Sequence, residues 1–241
     1  MGNSIAVTNL SKKFGNKTVL AEIDLSIEEG QIYGLIGPSG SGKTTLVKLM
    51  VGIDSPDSGT VDVLGKRMPN LELLSSIGYM AQSDALYSEL TGGENLAFFA
   101  SLYSLKKADR KKRIAYAAGL VKLAGELNKK VGTYSGGMKR RLSLAIALIH
   151  DPKILLLDEP TVGIDPELRL SIWAELEHLK REQGKTVVIT THVMDEAEKC
   201  DRVAMVRDGR ILTSGSPAQL KASCGAANLE EVFLAAGRGA L

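Results

Sequence analysis

Cysteine is nearly missing. Cys200 and Cys224 are the only two in 241 residues, too few for a disulfide framework, and the chain reads as reduced and cytosolic. Aromatic residues are few as well. One tryptophan and four phenylalanines leave the basic stretches with little aromatic interleaving, which makes them poor platforms for nucleic acid. Neither sign of charge prevails. The 30 basic and 28 acidic residues give a formal net charge of +2, so no global field points to nucleic acid or an acidic membrane surface. Long hydrophobic runs are also lacking. No apolar stretch reaches the roughly 18 residues of a spanning helix, and the opening MGNSIAVTNLSKKF holds no signal core. A membrane role, if there is one, is that of a soluble partner.

What is present is an alternation of strand and helix patterns. SIAVTNL, VLAEIDLSI and QIYGLIG, between residues 4 and 37, are rich in Val, Ile and Leu and predict strands. TTLVKLMVG has helical spacing, and GTVDVLG and IGYMAQ are further short strands. From about 93 to 150 the apolar residues recur at helical intervals, in ENLAFFASLYSL, KKADRKKRIAYAAGLVKLAG and GGMKRRLSLAIALIH. The strand signal returns at ILLLD. A helix follows over 167–184, then the strand KTVVITT and the helix VMDEAEKC. Two strands (DRVAMVRDG, RILTSG) and two small helices (PAQLKAS, NLEEVFLAAG) complete the chain. The pattern predicts an α/β core with a strand-rich piece, from residues 1–81 and 154–241, interrupted by a helical segment over 82–153.

GPSGSGKT at 37–44 fits G-x-x-x-x-G-K-[ST] completely, and it follows an apolar strand and opens a helix. Gly37, Pro38, Ser39, Gly40, Ser41 and Gly42 form a loop whose backbone N–H groups can converge on phosphates. The helix beginning at Lys43, Thr44 and Thr45 adds its positive end. Lys43 reaches the β- and γ-phosphates of a nucleotide, and Thr44 can ligate Mg²⁺. ILLLDE at 154–159 supplies the complement: four apolar residues of a strand buried on both faces, then Asp158 to hold Mg²⁺ and Glu159 to take a proton from an attacking water.

A second glycine turn, Ser135-Gly136-Gly137, also precedes a helix. By itself it is an ordinary serine N-cap. Its surroundings change that reading. TYSGGMKRRLSLAIAL, then LLLDEP, GID and THVMDEAEKCDR, closely resemble the ATP-binding subunit of ABC transporters over nearly the whole chain. The resemblance implies a P-loop NTPase with a RecA-like core, an antiparallel β subdomain and an inserted α-helical subdomain. It implies MgATP as ligand and ATP hydrolysis as activity. It makes the second turn the signature motif, which binds the γ-phosphate of the nucleotide held by the other subunit. Two nucleotide-binding domains are thus expected to work together on a separate transmembrane permease at the cytoplasmic face of the membrane, as two copies of this chain or as this chain with a related one; the completeness of both half-sites favours two copies.

Other positions carry over by the same resemblance. Phe14 matches the aromatic that stacks on adenine; a phenylalanine after a strand is otherwise core or edge. Gln82 matches the glutamine that touches Mg²⁺ and water and senses the permease. Asp165 matches the aspartate of the loop that crosses the dimer interface; its plain alternative is a helix N-cap before Pro166. His192 matches the histidine on the γ-phosphate. The usual Leu-Ser-Gly-Gly-Gln is here Tyr134-Ser135-Gly136-Gly137-Met138, and Met138 cannot offer an amide. This variant, the following Lys-Arg-Arg-Leu and the tail NLEEVFLAAG resemble drug and antibiotic exporters with type-2 permeases. Leu86, Tyr87, Leu90, Phe98, Phe99 and Tyr103 are available to line a groove for a permease helix. The alternative is a non-transport ABC ATPase acting on DNA or the ribosome, with KKADRKKR at 106–113 as its basic patch. A solvated helix face accounts for that run, so no nucleic acid is expected. A GTPase would need Asn-Lys-x-Asp, and NKK at 128–130 continues into Val131.

Overall fold

The structure, a computed structural model, describes residues 2–83, 85–103 and 105–238. In chain order the elements are β1 (Asn3–Phe14), β2 (Lys17–Glu28), β3 (Ile32–Ile36), α1 (Lys43–Val51), β4 (Ser58–Val63), β5 (Lys66–Arg67), β6 (Ile77–Met80), α2 (Gly92–Leu102) and α3 (Lys107–Leu120). Then come α4 (Gly136–Leu148), β7 (Ile154–Asp158), α5 (Pro166–Gln183), β8 (Thr186–Thr191), α6 (Met194–Ala197), β9 (Arg202–Arg207), β10 (Arg210–Gly215), α7 (Pro217–Cys224) and α8 (Leu229–Ala236). Two compact units result: residues up to Leu73 together with those from Thr186 on, and Leu74–Lys185. The second is wider than the helical segment, since it also takes β6, β7 and α5.

In the first unit β1 pairs antiparallel with β2 on one side and β4 on the other, and β5 extends β4. β3 pairs in parallel with β8 and β9, and β9 returns antiparallel to β10. Every residue of β3 (IYGLI) and of β8 (TVVITT) is buried, as suits strands covered on both faces. Asp201 sets where β9 begins. Its Oδ2 accepts Ile32 N at 2.7 Å and its N–H reaches Ile32 O at 2.9 Å. The helix foreseen over VMDEAEKC is therefore cut to Met194–Ala197, tightened by Cys200 N–H on Ala197 O.

The second unit holds the parallel pair β6–β7 and the helices α2 to α5. α5 shows why a sequence stops and starts a helix. Asp165 caps Leu168 N at 2.9 Å, Pro166 follows, Gly184 closes the end at φ +62°, and Leu168, Ile172, Trp173, Leu176 and Leu179 form the buried stripe. α2 opens with a capping box between Thr91 and Glu94. The helix foreseen to residue 125 ends instead at Leu120. Lys122 turns left-handed at φ +52° and Leu123 N–H reaches back to Ala118 O at 2.9 Å. That turn buries both Val121 and Leu123, and burial outweighs the left-handed lysine.

Candidate functional site

The loop after β3 is built on close approach. A methyl group on Gly37 would lie 2.0 Å from Val206 O, and one on Gly42, at φ +107°, would lie 2.7 Å from Leu20 Cδ2. α1 starts from Gly42 with no side-chain cap and no acidic residue in its first turn. Its first N–H groups and its positive end are thus open to an anion. Lys43 is only 5% exposed, and its Nζ donates to Gly37 O at 2.7 Å and Pro38 O at 2.9 Å. The lysine therefore braces the loop it belongs to. Ser41 Oγ is buried and finds no hydrogen-bond partner among the described residues. Pro38, Ser39 and Gly40 form the exposed rim, and Thr44 and Thr45 are half-buried on the first helical turn. A buried orphan hydroxyl, a buried ammonium and converging N–H groups fit phosphate oxygens.

Two more candidate residues lie in the first unit. Phe14 stands at the β1–β2 turn, 50% exposed, with Lys12 Nζ 5.2 Å from its ring centroid. His192 follows β8 and is exposed. Its loop is pinned by Thr191 Oγ1, which donates to Glu196 Oε2 at 2.7 Å and accepts Val193 N–H at 3.0 Å.

In the second unit Asp158 ends β7 and is fully buried. Glu159 comes next at φ +51°, a left-handed backbone that costs a non-glycine residue about 1–2 kcal/mol. The Tyr79 hydroxyl, buried on neighbouring β6, is pushed up to about 12, first by burial and then by the Asp158 charge. Arg140 of α4, 7% exposed, reaches across this region. Its guanidinium donates to the carbonyls of Asp158 and of Glu159 (2.8 Å), and to Ala81 O at 2.7 Å and Gln82 O at 3.0 Å. Gln82 is exposed while its backbone is held.

Ser135 caps α4 by accepting Met138 N–H at 3.2 Å. Tyr134, the variant residue of this turn, is buried, and its hydroxyl donates to Glu126 O at 2.8 Å. It fills the space above Gly92, where a methyl would fall 2.2 Å from the Tyr134 oxygen. Gly137 packs near the turn after Glu159, since its Cβ would come within 3.0 Å of Gly163 O. Gly136 is different: a methyl there meets nothing within 4 Å, and its φ is not positive. Asp165 is the N-cap of α5.

A groove of ≈ 200 Å³ opens beside this region, lined by Tyr79, Met80, Leu86, Phe99, Ser143 and Ile146 among others. Leu90 is not among its lining residues. Tyr87 and Phe98 pack edge-on at 5.0 Å between centroids and are exposed. Tyr103 stacks instead on His150, with centroids 3.6 Å apart. Asn95 fixes this loop: its Oδ1 accepts Tyr87 N–H and its Nδ2 donates to Tyr87 O and Thr91 O, each at 3.0 Å.

Sequence reasoning missed Arg140. The signal was there. Gly136, Arg140, Leu144 and Leu148 lie four apart, so an arginine stands in the apolar stripe of α4.

Among the described residues no helix is long and apolar enough to cross a membrane. Residues 20–162 match the family model described as ABC transporter. The chain is 40% identical over 212 residues to the Nod factor export ATP-binding protein I of Burkholderia orbicola (strain AU 1054), covering 87% of this chain and 69% of that one. It is 41% identical over 223 residues to the probable multidrug ABC transporter ATP-binding protein YbhF of Escherichia coli (strain K12), covering 90% of this chain and 38% of that one. It spans about a third to two thirds of the length of the first curated relatives it matches. Among solved structures it is similar to the ATP-binding cassette MJ0796, a dimer in a post-hydrolysis state bound to ADP and Pi, with a TM-score of 0.81, 29% identity, and 88% of this chain and 98% of that one covered. A family match across more than half of the chain, joined to an overlap with nearly all of a solved cassette, places this α/β P-loop chain in the ABC transporter family.

Proposed function

We propose that the protein is the ATP-binding and ATP-hydrolysing subunit of an ABC exporter, acting as two copies on a separate membrane permease at its cytoplasmic face. The observation that carries the reading is the phosphate cradle: an uncapped α1, a buried Lys43 and a Ser41 hydroxyl without a partner among the described residues, beside Gly37 and Gly42, where an added carbon would clash. Phe14 offers an exposed ring to a purine. Lys43 and the loop N–H groups take the phosphates, and Thr44, Gln82 and Asp158 are the residues that would hold Mg²⁺. The ion supplies neutralisation of the phosphate charge. Glu159 polarises the attacking water and receives its proton, and His192 donates toward the γ-phosphate. Export is favoured by what the relatives are named for, Nod factor export and multidrug transport, and by the Tyr-Ser-Gly-Gly-Met variant.

The open space at Gly136 supports a partner copy. Among the described residues no atom within 4 Å requires a glycine there, and the open space at the helix N-terminus leaves room for a second copy's γ-phosphate. Gly136→Ala tests this. The fold is expected to gain about 0.4–1 kcal/mol, because alanine narrows the unfolded ensemble at a compatible φ. Hydrolysis is expected to fall at least about tenfold, because a methyl stands where the phosphate approaches. Thermal unfolding and phosphate release on one preparation read both. Unchanged hydrolysis would remove Gly136 from the site.

The groove beside Phe99 is the proposed seat of a short permease helix. Tagged Glu159→Gln protein, pulled from detergent-solubilised native membranes with MgATP, is expected to bring down a polytopic membrane protein. Recovery of ribosomal or DNA-bound proteins alone would move the chain to the non-transport ATPases and leave the phosphate chemistry in place.

A further inference from the structure

We propose that Arg140 is a positioning residue that clamps the segment carrying Gln82 to the turn carrying Asp158 and Glu159, so that both follow the helix whose N-terminus is the Ser135-Gly136-Gly137 turn. This rests on the reading of Glu159 as the base for ATP hydrolysis. One planar fork donates to four backbone carbonyls, Ala81 O and Gln82 O on one side and Asp158 O and Glu159 O on the other. The first pair lies 58 and 59 residues away in sequence and the second 18 and 19, so no local turn could hold them together. The arginine is buried, and it sits four residues, one helical turn, after Gly136. A displacement of the signature turn is therefore carried rigidly to both segments.

The clamp gives the left-handed Glu159 a reason to persist. Its carbonyl is held by the guanidinium at 2.8 Å, which fixes the peptide plane that aims its side chain. Gln82 is held through its backbone, and its exposed side chain is left available. Lysine could not substitute, because one ammonium cannot span carbonyls on two sides as a five-donor fork does.

The test uses the full chain with Arg140→Ala and Arg140→Lys. Hydrogen–deuterium exchange is read by mass spectrometry on peptides covering 78–83 and 156–162. ATP turnover and MgATP affinity are read on the same preparations. Exchange should rise in both peptides together and stay unchanged in α2. Turnover should fall about 10²-fold while MgATP affinity changes little, since a misplacement of about 1 Å is enough for that loss. Guanidinium ion added to Arg140→Ala should recover part of the rate, which a purely structural defect would not allow. A rise in one peptide only, or in neither, overturns the clamp, and so does turnover near that of the unsubstituted chain. If Arg140→Ala does not fold, Arg140→Lys decides by the same two readouts. An unsubstituted protein that never hydrolyses MgATP would remove Glu159 from its role, and the paired exchange would still decide whether Arg140 joins the two segments.

Discussion

Glu159→Gln is expected to lower MgATP hydrolysis roughly 10²-fold or more while MgATP still binds. The substitution keeps the side chain's length and shape and removes only its ability to accept a proton. The backbone demands are unchanged. Position 159 stays at φ +51°, and Arg140 still holds its carbonyl at 2.8 Å. The loss, at least about 2.7 kcal/mol of barrier, therefore falls on the chemical step. With hydrolysis blocked and MgATP present, two copies should remain together, and light scattering should read twice the mass of one chain. Turnover close to normal would take the base role away from Glu159. A blocked variant that stays at single mass would refute the paired arrangement without touching the base.

Gly37→Ala is expected to destabilise the fold by about 3 kcal/mol, near the upper end for overpacking. The added carbon would sit 2.0 Å from Val206 O, an atom of the buried strand β9 that cannot rotate aside. Thermal unfolding should drop by about 6–12 °C for a chain of this size. Nucleotide binding should go with it, because Gly37 O is one of the two carbonyls that Lys43 Nζ holds. Gly40→Ala is the control. Its φ is +79°, but nothing lies within 4 Å of the added carbon, so only backbone strain of about 1–2 kcal/mol applies. Equal losses in the two variants would mean that close approach to β9 is not what fixes Gly37.

The parts of this molecule that were legible in sequence are those written locally. The phosphate loop, the buried runs of β3, β7 and β8, and the cap, proline and glycine around α5 each lie within a few residues. The early end of α3 was not legible, because it depends on Val121 and Leu123 finding a core, which spacing does not record. The short α6 was set by Asp201 bonding to Ile32, 169 residues away. The clamp of Arg140 escaped for the same reason: its partners are carbonyls, which every residue has, so sequence cannot distinguish them. The meaning of the second glycine turn came from resemblance. Residue chemistry alone would have left Ser135 an N-cap, which it also is.

Gly136 bears on how this protein can be engineered. The site tolerates a methyl, its φ is ordinary, and the gain in stability should be real. A selection for thermostable variants, run on the purified chain, would enrich Gly136→Ala among its early winners and pass it through every test of folding. Its failure would show only when two chains met around one nucleotide. Libraries built on this scaffold should be sorted for turnover before they are sorted for heat.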